Sequence, residues 1–153
     1  MLNDEEKLKI KAQTKLAIRD CGGQEAAVEA TGRLERHQSL SDYGNAQMLN
    51  KYICIDSAIE LDRFSGNARF AKLFASMNGG IFVPLPKGTA KGCLEIAAGK
   101  TAVEFGDVMV SLGAAIKDGE INQLEALDTV REIKEAMVAL AGLAEEVKSK
   151  AKK

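Results

Sequence analysis

The chain has 153 residues, 46% of them apolar and 28% charged, with a formal net charge of −1. This is the composition of an ordinary soluble globular protein, and its balance excludes bulk electrostatic attraction to nucleic acid, so any DNA site must be a local arrangement of charge. Aromatics are 5% and Trp is absent, which leaves Ala, Leu, Ile and Val to build a thin core that an oligomer interface would reinforce.

Residues 4–20 predict a first helix. Asp4, Glu5 and Glu6 suit the positive end of its dipole, and Leu8, Ala12, Leu16 and Ile18 supply an apolar side. Gly22 and Gly23 stop it. Gln24 to Thr31 reads as a short alanine-rich second helix closed by Gly32, followed by a turn at Arg33-Leu34-Glu35. A third helix is expected from about Arg36 to Tyr43, ended by Gly44-Asn45. Residues 46–53 read as a loop. Asp56 is the expected N-cap of a helix over 57–64, with Ala58, Ile59, Leu61 and Phe64 as its apolar residues. Ser65-Gly66-Asn67 breaks that helix, 68–76 forms one more, and Gly79-Gly80 closes an N-terminal domain over residues 1–80.

The only two prolines, Pro84 and Pro86, lie in the next stretch. Both forbid helix and favour an extended path, so residues 81–92 read as a linker. Residues 93–150 read as a pair of long helices. In the first, Leu94, Ala98, Thr101, Phe105, Val108, Leu112 and Ala115 recur at alternating steps of four and three, a near-heptad seam. Lys117-Asp118-Gly119 is a tight stop. The second helix restarts near 120–123 with a seam of Val130, Ile133, Met137, Leu140, Ala144 and Val147, and its KSKAKK tail is expected to fray. A short turn makes the two helices antiparallel neighbours. Each also carries a second apolar set (Ile96, Ala97, Val103, Met109 and Ile116 on one; Leu124, Leu127, Val138 and Leu143 on the other), and a hairpin apolar over more than one stripe needs a further partner. A second copy, giving a dimer or tetramer, is the expected one; the alternative is that the hairpin packs back on its own N-terminal module. Leu94, Ala98, Phe105, Val108, Leu112, Val130, Ile133, Met137, Leu140 and Val147 are the oligomerisation candidates. The fold class is therefore all-α, with an N-terminal helical module, an extended connector and an oligomerising helical hairpin.

The segment GGQEAAVEATGRLERHQSLSDYGN over 22–45 has the ingredients of a helix-turn-helix. Ala26, Ala27 and Ala30 are small enough for two helices to touch, Gly32 makes the turn, and Leu34 and Leu40 anchor the second helix, closed by Tyr43. With Leu40 inward, Arg36, His37, Gln38, Ser39, Ser41 and Asp42 take the remaining faces, near the end of the helix that meets base edges in the major groove. Gln38 matches adenine, and Arg33 or Arg36 matches guanine. Ser39, Ser41, Tyr43, Asn45 and Lys51 suit phosphate contacts, as do the amides opening the second helix near Gln24. Asp42 is out of place on a DNA face and is expected to turn away and pair with a cation. Against DNA binding stands the charge of residues 1–76, with 11 Lys and Arg facing 11 Asp and Glu. A helical adaptor or anti-repressor that does not read DNA is the alternative.

Catalysis and metal binding find no support. Gly99-Lys100-Thr101 imitates the end of a phosphate-binding loop, but it lies inside a helix and lacks the preceding glycine. No GxSxG elbow is present and His37 is the only histidine, so a nucleophile–histidine site, a zinc site and a di-iron bundle are all unsupported. Cys21, Cys54 and Cys93 are too scattered for a disulfide framework. The N-terminus has no signal-type apolar run, and no segment approaches 18 apolar residues. The chain is expected to be a non-enzyme without cofactor, neither exported nor membrane-spanning, in the cytoplasm.

GGQEAA, then LSDYGN, then the IDSAIELDRFSG helix, followed by the VPLP connector and the terminal helical pair, resemble the phage regulatory protein CII family of temperate bacteriophages and their prophage relatives. The resemblance implies a lambda-repressor-like DNA-binding domain, a self-associating helical C-terminus and transcription control, mostly activation, at phage promoters in a bacterial host. It implies double-stranded DNA and the chain itself as partners, with RNA polymerase as a further one.

Overall fold

In a computed structural model of the chain, residues 1–32, 37–86 and 93–151 are described, with residues 37 and 38 described by backbone alone. Seven helices and no strand occur among them. The chain divides into two compact units, Met1–Phe82 and Val83–Lys153.

The first unit holds five helices: α1 (Asp4–Asp20), α2 (Gln24–Ala30), α3 (His37–Gly44), α4 (Ile55–Ser65) and α5 (Arg69–Met77). Helix α1 starts on a capping box. Asn3 Oδ1 accepts from the Glu6 amide at 2.9 Å, and Glu6 Oε2 accepts from the Asn3 amide at 2.8 Å; each end satisfies a backbone donor the other leaves open. Gly22 and Gly23, at φ 99° and 110°, turn the chain sharply into α2, a conformation open to glycine alone at little cost. The core gathers Ala17, Cys21, Ala27, Val28, Leu40, Ala58, Leu61 and Phe70. Small residues at the crossings let α1, α2 and α4 approach closely, and Phe74 of α5 packs against the core beside Phe70, their ring centroids 6.1 Å apart and tilted by 37°.

Two expectations are corrected here. The buried stripe of α1 is Ile10, Lys11, Thr14, Ala17 and Cys21, while Leu8 and Ala12 are exposed; the helix is rotated to bring a lysine and a threonine inward. Helix α4 begins at Ile55 with Cys54 as its N-cap, so Asp56 lies within the first turn. In its last turn Asp62 performs a cap at a distance. Its carboxylate accepts from the amides of Arg69 at 2.9 Å, Phe70 at 3.0 Å and Ala71 at 3.1 Å, the open donors at the start of α5.

The second unit consists of the connector from Val83 and two long helices, α6 (Leu94–Ala115) and α7 (Gln123–Lys150). Gly119, at φ 86°, sits in the turn. Asn122 and Glu125 form a second capping box at the start of α7. Helix α7 continues through the KSK expected to fray, supported by Lys148 Nζ on Glu145 Oε1 at 2.7 Å. The helices run antiparallel, with Ser111 Oγ and Thr129 Oγ1 3.0 Å apart across the seam. On α6 most of the expected seam is covered, with Leu94, Thr101, Val108 and Leu112 half-buried and Ala115 buried, but on α7 the packed side is not the apolar stripe. Toward α6, α7 turns Thr129, Ala136 and Glu146, all buried, and half-buried Glu125, Glu132, Ala139 and Leu143. Its heptad stripe of Val130, Ile133, Leu140 and Val147 is left exposed. Pro86 of the connector rests on Gly142 so closely that a Cβ there would come within 2.8 Å of Pro86 Cγ. No helix among the described residues is long and apolar enough to cross a membrane.

Candidate nucleic-acid interface

Helices α2 and α3 touch each other, and α3 lies against α1. Leu40, 3% exposed, is the side chain that seats α3 in the core. It faces Ala27 and Val28 from α2, with Ala30 and Tyr43 packed at the edge of the same cluster. Once Leu40 is inward, the periodicity of α3 dictates the rest. Ser41 and Asn45 are exposed, Ser39 and Tyr43 are half-buried, and Asp42 turns in.

Asp42 pairs with a cation, as its position on α3 required. Its Oδ2 lies 2.6 Å from Lys51 Nζ. The Lys51 side chain, one of the phosphate candidates, is thereby tied to α3 and holds the loop after it. Lys11 completes the arrangement from below. It is 1% exposed, donates to the backbone carbonyl of Asp42 at 3.3 Å and to that of Lys51, and stands 5.2 Å from the centre of the Tyr52 ring. Burial pushes its ammonium below the ordinary lysine value, and the Asp42 carboxylate opposes that shift. Sequence reasoning missed Lys11. The one signal was its place on a face shared with Thr14 and Ala17, since a lysine stem packs like an aliphatic chain.

Of the other candidates, Gln24 is half-buried in the first turn of α2, whose N-cap Gly23 offers no side-chain cap. Asn45 Oδ1 accepts from the Gln47 amide at 2.9 Å. Arg33 and Arg36, like Leu34, lie outside the described residues, and the His37 and Gln38 side chains do too. The backbone of residues 37 and 38 forms the first turn of α3.

The first unit neutralises much of its own charge. Lys7 pairs with Asp4, Lys9 with Glu5, and Arg69 with Asp20 at 2.5 Å. Asp20 also accepts from Asn67 Nδ2 at 2.9 Å, and the Arg69 guanidinium holds its carboxyl below the ordinary range. These contacts join the end of α1 to the turn between α4 and α5.

The oligomerisation candidates divide differently. Leu94, Val108, Leu112 and Met137 are half-buried within the helix pair, while Ala98, Phe105, Val130, Ile133, Leu140 and Val147 are exposed. At about 100° per residue, Ala98, Phe105, Met109, Leu112 and Ile116 follow one flank of α6 beside the packed seam. The heptad stripe of α7 follows a flank in the same rotational sense. In an antiparallel pair these two flanks fall on one side, giving a broad apolar face.

Residues 36–150 match the family described as phage regulatory protein CII (CP76). The chain belongs to that family. The CII match runs from the threshold of α3 through α7 and so takes in LSDYGN, IDSAIELDRFSG, the VPLP connector and both long helices, whereas GGQEAA precedes it. Membership of the CII family makes this a phage regulatory protein and points to a transcription regulator. No curated protein and no solved structure matches the chain.

Proposed function

We propose that this CII-family protein is a sequence-specific DNA-binding transcription regulator of phage or prophage type, an activator that binds repeated half-sites as an oligomer in the cytoplasm of a bacterial host. The observation carrying the reading is the α2–α3 pair seated by Leu40, with Ser41 exposed on α3 and Ser39 and Tyr43 half-buried beside it. In this reading α2 and α3 are a helix-turn-helix, and α3 enters the major groove. Gln38 reads adenine, and Arg33 and Arg36 read guanine. Gln24, His37, Ser39, Ser41, Tyr43 and Asn45 fix the helix on the backbone. Lys51 acts there from its pair with Asp42. The apolar side of α6 and α7, with exposed Phe105, Val130, Ile133, Leu140 and Val147 and half-buried Leu112, joins copies so that two recognition helices meet half-sites about 34 Å apart, or a multiple of that. RNA polymerase is the protein partner of the activator.

A gel shift with the phage's own promoter DNA tests this. Gln38→Ala and Arg36→Ala should each weaken specific binding by about 1–3 kcal/mol, or roughly 5- to 150-fold, with helix content unchanged by circular dichroism. Unaltered operator affinity in both variants would remove α3 from the role.

The internal pairing of Lys7, Lys9, Lys51 and Arg69 favours one second reading, a helical adaptor or anti-repressor that does not read DNA. Binding to promoter DNA that falls steeply with salt excludes it, because only phosphate contacts release counterions.

A further inference from the structure

The side of α6 that faces away from α7 carries two parallel rows. Ile96, Val103 and Val110 form a ridge seven residues apart, and they are 73%, 62% and 73% exposed. Beside them Gly99, Gly106 and Gly113 form a groove with the same period, and among the described residues nothing lies within 4 Å of where their Cβ atoms would be. In heptad terms the ridge is the a position and the groove the d position. The next position along, e, holds Lys100 and Asp107, and neither makes an ion pair among the described residues.

We propose that this back face of α6 is a second self-association site, on which α6 of another copy lies antiparallel, ridge into groove. The occupant follows from self-complementarity. When the helix is turned end for end on a two-fold axis, Val103 meets the partner's Gly106, Ile96 meets the partner's Gly113, and Val110 meets the partner's Gly99. All three layers fit in one register because both rows repeat every seven residues. In that register the facing e positions set Lys100 against the partner's Asp107, and Asp107 against the partner's Lys100. Both contacts join opposite charges, so the arrangement that packs the ridge is also the one that charge selects. Glycine at d lets the two backbones approach closely, which explains why residues that weaken an exposed helix recur there. The site is separate from the apolar side shared by α6 and α7. A chain using both has two isologous faces, and four copies close as a dimer of dimers.

The test is the molar mass of the full-length protein by light scattering and sedimentation, with circular dichroism alongside. At Gly106 a Cβ meets nothing among the described residues, so Gly106→Leu should fill the groove and preserve or raise helicity while halving the assembly mass. Lys100→Asp and Asp107→Lys should each weaken the same association at least tenfold, and the double variant should recover it. A Gly106→Leu protein of unchanged mass overturns the proposal, as does a double variant no better than either single one. Leu140→Lys, on the other apolar side, keeps failures apart. If it alone lowers the mass, the back face of α6 is wrong and the oligomer of the proposed function stands. If only the α6 variants lower it, the reverse holds.

Discussion

Lys11 brings a full positive charge to the floor of the α3 loop. Its stem lies where an aliphatic residue would, and its head supplies a donor to the Lys51 carbonyl and a second one to the Asp42 carbonyl, which also accepts from the Asn45 amide. Removing the head leaves the Lys51 carbonyl without that donor, at about 1–3 kcal/mol. Removing the stem too forfeits buried methylenes at about 0.8 kcal/mol each. Lys11→Ala should therefore destabilise the fold by about 4 kcal/mol and Lys11→Met by about half as much, read from urea midpoints. An unchanged midpoint in Lys11→Ala would show that the lysine is not a core residue. The lowered proton affinity of Lys11 works against the fold at neutral pH, and the penalty eases as pH rises toward 10.5.

Between elements, polar groups at helix ends add to the apolar core that joins α1 to α5. Asp20 joins α1 to the α4–α5 turn through Arg69 and Asn67. Its pKa lies below the ordinary 3.8 when folded. Its contribution is therefore complete above that value and is lost as pH falls through the lower, folded one. Acid unfolding should show this loss, and Asp20→Asn should flatten the pH dependence below about pH 4; a variant with the parent's acid profile would exclude the link. Most helix ends were legible in the sequence because glycine and asparagine decide them locally: Gly22-Gly23, Gly66 and Gly119 all fall at stops. The inward side of α1 was not. Leu8 outscores Lys11 on any apolar pattern, yet the packing of α3 and its loop selects the lysine. The partner of Asp42 was legible in kind, as a cation, but choosing Lys51 needed the fold of the 45–50 loop.

At the scale of the molecule, the single chain uses the apolar seam of α6 but leaves most of the α7 stripe uncovered. On the α7 side the seam is led by Thr129 and Ala136, short groups that allow close antiparallel packing against Val108, Leu112 and Ala115 of α6. Periodicity locates a stripe but does not say whether a neighbour in the same chain or in another one covers it. On the proposed assembly, Leu140→Lys puts a charge into the apolar side. It should reduce molar mass and DNA affinity together, since weak half-sites gain about 10²–10⁴-fold from linkage. Loss of one without the other would separate assembly from recognition.

The glycines of α6 bear on how evenly this chain resists unfolding. Three of them inside one helix lower its intrinsic stability by about 3 kcal/mol relative to alanine, whereas α7 has a single glycine, held against Pro86. The two antiparallel rods are thus unequal in intrinsic stability, α6 being the weaker. On the proposed assembly, dilution that strips away neighbouring copies should loosen the weaker rod first, and the integrity of the C-terminal half should then depend on how much protein the cell contains.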